Sequence, residues 1–197
     1  MVVLQPISIE IRNDIRLRNK MTYELYHHGI LGQRWGVRRF QNKDGSLTYE
    51  GHKRLSGYSS KAIDSAEKGN YKKAAKIYLK GLKKVGRSKE DGIAILDSRW
   101  AMQKRDAANV IKLSKESGKK HLDDDDKYFV NSFLSEASVN RRLANAMRKI
   151  GDSKVKKISS KQPDVNGVPF EQWIKNVDDY SNQYFSKYYR QKYPGAF

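Results

Sequence analysis

The sequence predicts a mainly α fold, made of helical hairpins or a small bundle, behind a short Gly- and aromatic-rich N-terminal module in which a β-hairpin is a candidate element. From residue 58 onward, apolar residues recur at intervals of three and four, the period of an amphipathic helix. Glycine interrupts this pattern at Gly69, Gly86 and Gly118, where helices are predicted to end. Hydrophobic residues make up only 38% of the 197 residues, which predicts a modest core.

Residues 1–20 are expected to form a leader. Ile7, Ile9 and Ile11 alternate with polar residues, which indicates a short strand, and a disordered segment is the alternative. Met21 offers an alternative start, so this leader is expected to be an extra, loosely attached piece.

Residues 21–57 form a module that is dense in Gly, Trp and Arg. Its repeated glycines oppose a long helix. A strand is a candidate just before the Asp44-Gly45 pair, which predicts a turn that leads into Leu47. Thr48 then has the position and chemistry of a helix N-cap.

Residues 58–150 are predicted to form the helical domain, whose first helix, Lys61–Lys68, is short. The other three predicted helices begin near Tyr71, Ser88 and Asp123. The helix hairpin at its start resembles one unit of tetratricopeptide or microtubule-interacting-and-transport type. A single unit does not establish a repeat, so an ordinary helical hairpin is expected.

The C-terminal part is predicted to consist of a polar, lysine-rich linker over 151–168 and one aromatic helix over 169–193. Pro169 suits the first turn of that helix. Six residues of this helix are expected to face inward: Phe170, Trp173, Ile174, Val177, Tyr184 and Tyr188. Aromatic residues near its end alternate with the basic residues Lys187, Arg190 and Lys192, which suits contact with bases and phosphates or burial in a protein interface.

The charge balance points to an anionic partner. The chain has a formal charge of +18, and residues 61–122 carry 17 Lys or Arg against 7 Asp or Glu. Such a field attracts DNA, RNA, an anionic membrane surface or an acidic protein, although a solvated helix face is an equally good explanation. The residues predicted to bind nucleic acid share one face of the second helix: Lys72, Lys73, Lys76, Lys80, Lys83 and Lys84.

The sequence holds no pattern typical of an enzyme. It has no cysteine, no phosphate-binding glycine loop and no nucleophile elbow, so we expect no catalytic residue and no cofactor. The four histidines lack metal-ligand spacing, and Asp123–Asp126 are explained by helix capping, so no metal is expected either. No apolar run approaches the roughly 18 residues of a membrane-spanning helix.

The most specific feature is the block HHGILGQRWGVRRFQNKDGSLTYEGHKR, residues 27–54. It resembles a motif that recurs in proteins of tailed bacteriophages and prophages of Gram-positive bacteria. The matching residues are His28, Gly29, Ile30, Leu31, Gly32, Arg34, Trp35, Gly36, Val37, Arg38, Arg39, Phe40, Gln41, Asn42, Asp44, Gly45, Leu47, Thr48, Gly51 and Arg54. The resemblance implies a virion-associated or head-region protein in which the motif acts as a docking or packaging tag.

Two interpretations of this block stay open. In the first, its apolar and basic side chains anchor in a partner's groove and contact acidic groups. The predicted partner-binding residues are His28, Leu31, Arg34, Trp35, Arg38, Arg39 and Phe40. In the second, the block packs on the chain's own helical domain.

Together these observations predict a non-enzymatic phage structural or head-associated protein, located in the virion and, before assembly, in the host cytoplasm. The motif would dock to another virion protein, and packaged DNA is a further candidate partner. One alternative is a basic nucleic-acid-binding protein that acts in the host cell. Another is a toxin or host-takeover factor that the phage delivers.

Overall fold

A computed structural model of the chain describes residues 39–42, 44–151 and 164–197. Within these ranges the protein is mainly helical, as predicted, and contains six α-helices and one 3₁₀-helix. The predicted leader, the first part of the motif and most of the predicted linker lie outside the described residues. No helix in the described ranges is both long and apolar enough to cross a membrane.

Helices α1 (Tyr49–Glu67) and α2 (Tyr71–Lys84) form an antiparallel hairpin around a turn at Gly69. The predicted N-cap Thr48 is confirmed, but the short separate helix predicted over Lys61–Lys68 is wrong, because α1 runs without a break from Tyr49 and passes through the expected module boundary at residue 57. Tertiary packing explains the longer helix: Gly81 of α2 lies so close to Tyr58 that only a residue without a side chain fits there. This contact supports α1 through a Ser- and Gly-rich stretch of low helix propensity.

Helices α3 (Lys89–Glu116) and α4 (Asp124–Arg148) are the two long helices, and they pack along each other. Their predicted N-caps are confirmed. The Ser88 hydroxyl oxygen accepts a hydrogen bond from the backbone amide of Asp91. In return, the Asp91 carboxylate accepts one from the backbone amide of Ser88. Asp123 accepts a hydrogen bond from the Asp126 amide. These caps satisfy amide groups that the first helical turn leaves without partners.

The predicted C-terminal helix over 169–193 is wrong in extent, because it is divided into α5 (Phe170–Asn182) and α6 (Lys187–Lys192). The break brings Phe185 into the core, where its ring meets that of Phe197 at 5.3 Å between centroids. Tyr188, which was expected to face inward, is 58% exposed. Burying one aromatic ring at the break has therefore turned the next one toward solvent.

Within the described residues, two clusters of buried side chains stabilise the fold. One lies among α1, α2, the start of α3 and the end of α4, and includes Tyr78, Leu82 and Leu96. The other joins the rest of α3 and α4 to α5 and the C-terminal 3₁₀-helix (Pro194–Ala196), and includes Trp100. The indole of Trp100 donates a hydrogen bond to the Ala196 carbonyl at 2.7 Å, which fixes the last residues against α3.

Candidate nucleic-acid interface

The six lysines predicted to bind nucleic acid lie on one exposed face of α2, which we call the lysine face (Lys72, Lys73, Lys76, Lys80, Lys83 and Lys84). At 3.6 residues per turn they fall within an arc of about 120° and extend over about 18 Å. The opposite side of α2 is buried and carries Ala74, Ala75, Tyr78 and Leu82. The core therefore sets the direction in which the lysines point.

No acidic group among the described residues neutralises the lysine face. Helix α2 contains no acidic residue. Within the part of the chain that the structure describes, none of these lysines lies within ion-pair distance of a carboxylate. As far as the described residues go, the six ammonium groups are therefore available to an external anion.

A shallow basic depression lies at the first turn of α2, where the lysine face begins. It has a volume of about 460 Å³ and is lined by Gly69, Asn70, Tyr71, Lys72, Lys73 and Lys76. The guanidinium of Arg142, from α4, lies 5.8 Å from the centre of the Tyr71 ring and adds a cation beside it. The basic surface thus has a concave end as well as a convex helical face.

The second part of the phage-like motif packs on the chain's own helices. Phe40 is 8% exposed and belongs to the first core cluster, so the expectation that it anchors in a partner's groove is wrong. The guanidinium of Arg54 lies 4.9 Å from the centre of its ring. Gly51 lies against the backbone of Phe40 so closely that a Cβ atom there would overlap the Phe40 carbonyl oxygen.

The rest of this segment forms a turn that leads into α1. Gln41 and Leu47 form an isolated antiparallel bridge, which is the described part of the candidate β-hairpin. Asp44 accepts hydrogen bonds from the amide and the hydroxyl of Ser46, and these bonds lower the pKa of its carboxyl group. The hydroxyl of Thr48 donates a hydrogen bond to the Arg39 carbonyl and accepts one from the Gly51 amide. The motif residues in this segment thus have structural roles.

Arg39 is the other described residue of the predicted docking set, and its side chain is exposed. The remaining five, His28, Leu31, Arg34, Trp35 and Arg38, lie outside the described residues. A docking role for this part of the motif remains a prediction from the sequence.

A buried lysine on α3 was missed by the sequence analysis. The side chain of Lys104 is fully buried, forms an ion pair with Asp178 and donates to the Asn182 side-chain oxygen at 2.7 Å. Its amine lies 5.1 Å from the centre of the Trp100 ring and 4.7 Å from that of Phe197. Burial lowers the pKa of Lys104 below its ordinary value of 10.5, while the bond to Asp178 opposes that change. Its position four residues after Trp100, on the apolar stripe of α3, was the available signal.

The acidic start of α4 is engaged in local ion pairs. Lys119 contacts Asp123 at 2.5 Å and Asp126 at 3.0 Å, and Lys127 contacts Asp124 at 3.0 Å. Among the described residues there is no group of three or more His, Cys, Asp or Glu side chains placed to hold a metal ion.

Comparisons with known proteins identify no relative of this chain. No protein-family model matches the chain, and neither the curated proteins nor the solved structures contain a match.

Proposed function

We propose that this protein is a non-enzymatic, virion-associated protein of a tailed bacteriophage, and that its lysine face contacts packaged DNA. The observation that carries the DNA contact is the set of six exposed lysines on one side of α2, without a carboxylate partner among the described residues. The resemblance of residues 27–54 to a phage motif supports the location in the virion.

Duplex DNA is a suitable partner for this face. Its phosphates are closely spaced along the helix axis, and a straight row of lysines of about 18 Å meets several of them at once. Each neutralised phosphate contributes about −0.9 to the slope of log K against log salt. Four to six contacts therefore predict a slope of about −4 to −5, with little dependence on base sequence.

The DNA contact is tested by fluorescence anisotropy with a duplex of about 20 base pairs over a range of salt concentrations. The double variant Lys76→Glu/Lys80→Glu reverses two charges at the middle of the face. We expect it to weaken binding at least about tenfold and to flatten the slope by about 2.

Lys115→Glu/Lys120→Glu is the matched control. Both residues are exposed, and the substitution changes the net charge by the same amount on another part of the surface. It should retain most of the affinity. Equal losses in the two variants would mean that net charge alone attracts DNA, and a salt-independent affinity would contradict the proposal.

The virion location is tested separately by mass spectrometry of purified phage particles. Arg38→Ala/Arg39→Ala removes two cations from the part of the motif expected to dock, and should prevent incorporation while circular dichroism shows intact helices. Normal incorporation of this variant would count against docking through the motif. Presence of the protein in infected cells but not in particles would instead favour the alternative of a nucleic-acid-binding protein that acts in the host cell.

A further inference from the structure

A second candidate binding surface lies on the other core cluster, between the first turns of α4 and helix α6. We call it the tyrosine cleft, and its lining residues are His121, Leu122, Lys127, Asn131, Tyr188 and Tyr189. Its volume is about 320 Å³, near the lower end of the range for small-ligand pockets. A cleft of this size suits one base of a nucleic acid.

The cleft presents one aromatic ring to solvent, and other aromatic side chains support this ring from beneath. Tyr188 is 58% exposed, and its ring meets that of Tyr189 edge-on at 5.3 Å. Tyr189 is half-buried and packs in turn against the buried ring of Phe185 at 6.1 Å. An exposed ring held in this way is available to stack with little loss of side-chain entropy.

A cation lies beside that ring without a carboxylate partner in the described ranges. The Lys192 amine donates to the side-chain oxygen of Asn131 and to the Tyr188 hydroxyl, both at 3.2 Å. It also lies 5.4 Å from the centre of the Tyr188 ring. Uncharged oxygens leave the ammonium charge uncompensated, so a phosphate near Tyr188 would gain an ionic contact.

Three of the four aspartates at the start of α4 are engaged in ion pairs with other lysines. Lys119 binds both Asp123 and Asp126. Lys127 is paired with Asp124, whose side chain is 99% exposed. Such surface pairs contribute little, so Lys127 is able to exchange this carboxylate for a phosphate.

We propose that the tyrosine cleft binds one nucleotide of a single-stranded nucleic acid, with its base stacked on Tyr188 and a flanking phosphate held by Lys192. A nucleotide uses both the ring and the cation, whereas an acidic peptide would use only the cation. This inference goes beyond the DNA contact of the lysine face, because it concerns unpaired bases and a separate surface.

The test measures binding of a labelled single strand, an oligothymidylate of about 15 nucleotides, by fluorescence anisotropy at constant salt. Stacking on one aromatic side chain is worth about 1–3 kcal/mol, so Tyr188→Ala should weaken binding about 5- to 150-fold. Tyr188→Phe keeps the ring and should bind within about twofold of the original protein. Tyr49→Ala removes an equally exposed tyrosine (56%) from α1 and should also have little effect.

Three results would overturn the inference. The first is a Tyr188→Ala variant that binds the single strand as tightly as Tyr49→Ala does. The second is an abasic strand of the same length that binds as tightly as the oligothymidylate. The third is a polyglutamate peptide that occupies the cleft in a Tyr188-dependent way while the single strand does not. The lysine face is tested by the loss of duplex binding in Lys76→Glu/Lys80→Glu, and the tyrosine cleft by the loss of single-strand binding in Tyr188→Ala. The proposals of duplex binding and of single-strand binding therefore fail independently.

Discussion

Two glycines of α1 allow a sharp test of how the motif is fixed to the helices. Gly51 lies in the first turn, against the backbone of Phe40. Gly57 lies in the interior of the same helix, and a Cβ atom there would meet nothing within 4 Å. The substitutions Gly51→Ala and Gly57→Ala therefore add the same atom to the same helix in two different surroundings.

The expected difference can be worked from these surroundings. Alanine is favoured over glycine by about 1 kcal/mol in a helix interior, so Gly57→Ala should stabilise the protein by about that amount. At Gly51 the same methyl group overlaps the Phe40 carbonyl oxygen, and overpacking of this kind costs about 1–3 kcal/mol. Gly51→Ala should therefore unfold at a temperature lower than Gly57→Ala by roughly 2–12 °C, at about 2–4 °C per kcal/mol for a chain of this size.

The assay is thermal and urea unfolding of both variants, followed by far-ultraviolet circular dichroism. If Gly51→Ala is as stable as Gly57→Ala, Phe40 is not held against α1, and the structural role assigned to this part of the motif is refuted. A lower midpoint in Gly51→Ala, with unchanged helix content in the folded state, supports that role.

The buried ion pair gives further predictions. Asp178→Asn leaves the Lys104 ammonium without its carboxylate and should lower the free energy of unfolding by about 2–3 kcal/mol in urea titrations, less than a fully buried pair because the Asp178 side chain is 30% exposed. Lys104→Met removes the buried charge and should cost less than Asp178→Asn; the reverse order would contradict this reasoning. Burial lowers the pKa of Lys104 in the folded protein. At pH values between that lowered pKa and 10.5, the Lys104 amine is therefore protonated more often in the unfolded chain than in the folded one. Over that interval the stability of the original protein should rise with pH relative to Lys104→Met, as measured by urea unfolding at pH values up to about 10.5.

The sequence predicted correctly those features of the fold that depend on a single local pattern. The stripe of α2 and the caps at Ser88 and Asp123 depend on local periodicity and local hydrogen bonds, and the structure confirms them. The cap of α1 at Thr48 was also predicted, but the continuation of the helix from this cap to Lys61 depends on contacts with α2, distant in the chain, such as that between Tyr58 and Gly81. No local pattern reports such a contact, so the Ser- and Gly-rich stretch was not predicted to be helical.

The same distinction applies to the two proposed binding surfaces. The lysine face was predicted because its six residues follow the helix period. The aromatic and basic residues at the end of the predicted C-terminal helix were expected to suit bases and phosphates, but the tyrosine cleft itself was not predicted, since Tyr188 was assigned to the inner side of a continuous helix. Only the break after Asn182, which turns Phe185 inward, exposes Tyr188 beside α4.

Repulsion between the lysines of the lysine face destabilises α2. Lys72, Lys76, Lys80 and Lys84 are spaced four residues apart, and each such pair of like charges destabilises a helix by about 0.2–0.5 kcal/mol. Helix α2 has no acidic residue to offset this repulsion, so the core on its opposite side must compensate. Added salt screens the repulsion and stabilises the free protein, while the same salt weakens contacts with phosphate. If DNA binds as proposed, its phosphates relieve this repulsion directly, so DNA binding should stabilise α2 most at low salt, where the repulsion is least screened.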